Sequence, residues 1–178
     1  MPTGSEAAVA MRHMDEALGG LEYAAVDISW SSDVPSDSPK ILEAATAVDD
    51  LLRTEELIGH PLSIRNLIDA LPGEGKPDER MSMIELLPPP LKRAFYTPEH
   101  RRAKVTFRVQ DLGIAKYKPV FERLETELSQ LKQQYPDFNF VLEGSAVWRW
   151  RHLYQIVVDL AASLGSAAVI IFLVLAAV

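Results

Sequence analysis

Cysteine is absent from all 178 residues. That excludes disulfide staples, thiol nucleophiles and cysteine-ligated zinc. It leaves the compartment open, because a disulfide-free domain can sit on either side of a membrane. An excess of positive charge is also missing: 18 Lys and Arg face 25 Asp and Glu, a formal net charge of −7. Proteins that bind phosphate backbones usually show a basic face, so nucleic acid is not an expected partner. Residues 1–20 lack the apolar core of a signal peptide. No glycine-rich phosphate loop and no serine in a nucleophile elbow occur. His13, His60, His100 and His152 are scattered without metal-ligand spacing. Asp49-Asp50 and Glu55-Glu56 are expected on the wet face of a helix. No catalytic residue, metal or cofactor is therefore assigned, and the chain is not read as an enzyme.

What the chain does have is an oily end. Residues 160–178 carry no charge. A spanning helix needs about 20 apolar residues, and this stretch supplies that length. About ten strongly apolar side chains give on the order of −5 kcal/mol for insertion. A helix buried in a soluble core would instead alternate with polar residues. Upstream, Trp148, Arg149, Trp150 and Arg151 have the aromatic and basic character of anchors at the lipid headgroup level. Ala161, Gly165 and Ala168 share one helix face, and small residues there let a second helix come close. Asp159 sits at the boundary of the apolar stretch, a poor place for a proton relay.

The remainder is patterned like a folded domain. Residues 11–18 suit a short helix ended by Gly19-Gly20. Val26, Ile28 and Trp30 share a face at period two, the mark of a strand over 21–30. Ser38-Pro39 opens a helix whose apolar positions continue to about Ile58, where Gly59-His60-Pro61 stops it. A short helix capped by Ser63 follows. Residues 72–79 form a loop rich in proline, glycine and charge. Pro88-Pro89-Pro90 reads as a stiff extended connector rather than a recognition motif.

Ala103, Val105, Phe107 and Val109 alternate with polar residues as a half-buried strand does. After the turn Asp111-Leu112-Gly113, apolar residues from Tyr117 to Tyr135 recur at steps of three and four, a strongly amphipathic helix. Phe138, Phe140 and Leu142 form another alternating strand. The expected fold is α+β, a split βαβ (ferredoxin-like) soluble domain followed by one C-terminal transmembrane helix. Its parts are a short N-terminal helix (1–20), the α+β domain (21–146) and a juxtamembrane and transmembrane helix (147–178).

The order of these pieces resembles the first extracytoplasmic, porter-type loop of RND-superfamily exporters of the MMPL type. The resemblance rests on Met14-Asp15-Glu16-Ala17-Leu18-Gly19-Gly20 before a strand, and on Pro61-Leu62-Ser63-Ile64 before a short helix. It rests further on the strand from Ala103 to Val109, the long amphipathic helix, Phe140-Val141-Leu142-Glu143-Gly144, and the start of a span at Val157. It implies a domain that gathers lipids or other amphiphiles for proton-driven export. The partners would be the lipid bilayer, further transmembrane helices and a hydrophobic cargo. The domain would face outward from the inner membrane on a single span. On this resemblance one span would precede Met1 and later spans, with the proton-relay acids, would follow Val178. The chain would then be a fragment that does not transport alone. A second reading keeps it as a tail-anchored interaction protein with a cytoplasmic α+β domain. Arg149 and Arg151, lying before the span, favour that reading by the positive-inside rule.

Overall fold

The computed structural model describes residues 6–71, 77–110 and 112–177. Most of the expected loop at 72–79, the first residue of the Asp111-Leu112-Gly113 turn, and Val178 lie outside the described residues. The fold is mixed α+β: a five-stranded antiparallel sheet and one long apolar helix at the C-terminal end.

Three strands carry the body. β1 (Glu22–Trp30) lies between β4 (Arg102–Val109) and β5 (Phe138–Gly144), and Val26 faces Val105 on one side and Leu142 on the other. The alternation read from the sequence sorts the faces. Ala24, Val26, Ile28, Val105, Phe107 and Leu142 are buried on one, while Asp27, Lys104 and Glu143 stand on the other. β2 (Ile58–Leu62) and β3 (Tyr96–Thr97) both pair with the outer edge of β4, so the order is β2-β4-β1-β5 with β3 beside β2.

Two helices cover the apolar face. α2 (Pro39–Arg53) takes proline at its first turn, where the missing N–H has no helical partner to lose. Its Ile41, Ala44, Ala45, Val48 and Leu52 are all buried. α6 (Ile114–Gln134) buries Tyr117, Val120, Phe121, Leu124 and Leu128 at the spacing of one helical face. Each Val, Ile, Leu or Phe among them taken fully out of water contributes about 1.5–3 kcal/mol. The two helices touch each other, which closes the layer over the sheet.

Shorter elements fill the margins. α1 (Glu6–Leu18) precedes β1, and α3 (Ile64–Asp69) follows β2. Ser63 caps α3 as expected: its hydroxyl accepts from the Arg65 N–H at 3.2 Å, and Asn66 Oδ1 accepts from the Ser63 N–H at 2.8 Å. α4 (Pro77–Met83), a 3-10 turn (Ile84–Leu86), α5 (Pro89–Phe95) and a second 3-10 turn (Pro98–His100) link β2 to β4.

Several expectations are corrected. The helix expected to run to about Ile58 ends at Arg53, and Ile58–Leu62 is a strand. Gly59 and Pro61, read as breakers, suit an edge strand with an irregular register between Gly59 and Leu62. Gly59 is required there, since a Cβ would stand 2.2 Å from the Gly19 carbonyl oxygen. The three prolines are not one extended rod: Pro88 is extended, but Pro89 opens α5. The helix expected from about Val147 begins earlier, as α7 (Ser145–Ala177). It follows β5 with no loop. Gly144 makes that joint possible at φ +119°, where any Cβ would lie 2.6 Å from Ala24 Cα.

Candidate functional site

α7 is 33 residues long, about 50 Å at 1.5 Å per residue. It is the one helix among the described residues long and apolar enough to cross a membrane. Its first turns belong to the domain. Val147 is wholly buried, and Trp150 packs on Phe121 with ring centroids 5.5 Å apart. From Leu153 to Ala176 every residue whose side chain is described is exposed.

The four expected anchor residues therefore divide. Trp148 is exposed, stacked on His152 at 4.3 Å. Trp150 is not: helical geometry turns it about 200° from Trp148, and that direction points into the core. Arg149 pairs with Glu22 at 2.5 Å, and Arg151 pairs with Glu125. Each arginine leans back onto an acid of the domain, so both are locally neutralised. Ala161, Gly165 and Ala168 lie on exposed helix, and a Cβ added at Gly165 would meet nothing within 4 Å. Asp159 is exposed, within two turns of His152.

Where α7 leaves the domain it borders a groove of about 280 Å³. Tyr117 and Phe121 of α6 and Trp150 and Leu153 of α7 form its apolar wall, and the Glu22–Arg149 pair its charged rim. The groove thus sets an apolar wall directly beside a charged rim. Sequence reasoning assigned Tyr117 and Phe121 to the core face of α6. Nothing in their spacing separates a groove wall from a core, because the groove exists only once α7 docks beside them.

The acids sort in ways the sequence did not show. Asp49 was expected on a wet face but is fully buried. It accepts from Arg53 at 2.8 Å and from Arg65 at 3.3 Å, which ties α2 to α3. A side chain this buried needs such partners. Its neighbour Asp50 stays exposed and raises Arg65 above its ordinary value through a hydrogen bond, against a smaller loss from burial. Glu55 grips Arg123 on α6 at 2.7 Å and raises that guanidinium likewise. On the open sheet face, burial pushes the Asp27 carboxyl above 3.8; Arg102 pulls it back, Glu143 adds to the rise, and Lys104 pulls it back further.

Among the described residues, no three His, Asp or Glu side chains are grouped to hold a metal ion. Comparison with protein-family models, curated proteins and solved structures finds no match for the chain.

Proposed function

We propose that this chain supplies the extracytoplasmic porter-type domain and one membrane span of an RND/MMPL-type exporter of lipids or other amphiphiles. It acts with other transmembrane helices and does not transport alone. The observation that carries this reading is the junction: one helix runs without a break from Val147 and Trp150 in the domain core into an exposed, uncharged stretch after Asp159. Two further features support it. The antiparallel order β5-β1-β4-β2, with α2 and α6 as crossovers, is the order expected of a split βαβ unit. The groove at the root of α7 has the size and polarity for part of an amphiphile.

The tail-anchored alternative draws on Arg149 and Arg151 ahead of the span. In the folded domain both pair with acids, Glu22 and Glu125, so they brace the root of the span against the body under either orientation.

The absence of cysteine makes the test clean. Ser129→Cys places a lone thiol on the exposed side of α6. In intact cells expressing the chain, a membrane-impermeant maleimide should label it. Labelling only after permeabilisation would establish the tail-anchored reading instead. A photo-crosslinker at Ala168 should join an integral membrane protein identified by mass spectrometry; adducts with lipid alone would count against a shared transmembrane assembly. Recovery as a monodisperse monomer without detergent would overturn both readings.

A further inference from the structure

A second hollow, of about 490 Å³, lies on the open face of the sheet. Its floor is Asp27, Arg102 and Lys104, and its wall is Arg93, Tyr96 and His100 from α5, β3 and the following turn. The sequence pattern explains the floor. Arg102 and Lys104 are two apart on β4 and so share the face away from the helices, and Asp27 on β1 is the direct partner of Lys104.

The two guanidiniums differ from the six arginines that make close ion pairs. Arg53, Arg65, Arg80, Arg123, Arg149 and Arg151 each reach a carboxylate at 2.8 Å or less. Arg102 stands 3.7 Å from Asp27, and Arg93 stands 3.8 Å from Glu99. Both distances exceed hydrogen-bond length, so each fork retains donors to offer. Lys104 on the floor is held by Glu143 at 2.6 Å. Glu99, Asp27 and Glu143 stand beside these three cations, but only Lys104 is held at hydrogen-bond length, so what the hollow offers is the open donors of the two guanidiniums. Planar guanidinium forks match the oxygens of a phosphate.

We propose that this hollow binds a phosphate group, held between the Arg93 and Arg102 guanidiniums, and that the group belongs to a larger ligand. The volume exceeds what bare phosphate needs and suits a headgroup or a soluble phosphate ester. This inference stands apart from the exporter reading, since it requires no transport.

The test is calorimetric titration of the full chain in neutral detergent. One arm uses inorganic phosphate and the other dihexanoyl phosphatidylglycerol below its micellar concentration. Saturable binding that weakens with added salt is expected. Arg93→Gln and Arg102→Gln should each weaken it about tenfold. Arg108→Gln, which removes an exposed charge on the same strand outside the hollow, should leave it unchanged. Tighter binding of the lipid would assign a phospholipid headgroup; equal binding would assign a soluble phosphate. If Arg102→Gln disturbs the fold through Asp27, Arg93→Gln on the short outer helix still decides. Equal weakening by Arg108→Gln, or no saturable binding of either probe at millimolar concentration, would overturn the proposal.

Discussion

The two ends of α7 have similar chemistry and opposite settings. Trp150 is 9% exposed, whereas Leu175 is 71% exposed. At the docked end, apolar side chains meet α6, β1 and β5. At the free end they are exposed, and an apolar surface of that extent marks a place for a partner or a membrane. Side-chain type alone does not tell a core residue from one awaiting a partner. The difference lies in whether the preceding chain has brought a second layer to the same place.

The largest expected effect contrasts the two tryptophans. Trp150→Ala should cost the domain about 3–5 kcal/mol, because it empties a packed site beside Phe121. Trp148→Ala should change stability by no more than about 0.5 kcal/mol. Urea unfolding followed by near-ultraviolet circular dichroism would measure both, and equal losses would break the contrast. Next, Ile170→Asp should disfavour bilayer insertion by about 3 kcal/mol. It should leave the unfolding midpoint of the domain where it was, and a shared shift would mean the free end packs on the body after all. Smaller again, Asp49→Ala should destabilise by about 2 kcal/mol through the lost charge-assisted bonds from Arg53 and Arg65. Half-exposed arginines can recover water, which holds the loss below that of a fully buried pair.

The smallest effect concerns Asp27. Its folded pKa lies above the ordinary 3.8, mainly through burial. A raised acid binds its proton more tightly when folded. Its stabilising contribution is therefore complete below pH 3.8 and is lost as the pH rises through the folded value. Asp27→Asn should remove that loss, so the variant should gain on the parent as the pH climbs from below 3.8. Parallel stability curves for the two proteins would rule this out.

Much of the body was legible because it depends on periodicity. The period-two pattern from Ala103 to Val109 and the helical steps from Tyr117 to Leu128 both survive unchanged as strand and helix. The Ser63 cap was equally plain, since a hydroxyl ahead of an apolar run has one local use. What failed depended on neighbours distant in sequence. Ile58–Leu62 reads as a chain break until β4 supplies an edge for it to pair with. Asp49 reads as solvated until α3 brings Arg65, sixteen residues away, over it. Trp150 reads as an anchor until Phe121 is placed beneath it. The phosphate hollow left no trace in the sequence, because Arg93 and Arg102 meet only through the turn that joins β3 to β4.

The seamless passage from β5 through Gly144 into α7 makes the helix a stiff arm rather than a tether. A swing of about 10° at that joint carries the far tip roughly 9 Å sideways along an arm of this length. The motion also works in reverse. Were the tip held in a bilayer, a change in the tilt of the arm would be passed to the sheet as a rotation, as a weathervane follows its rod.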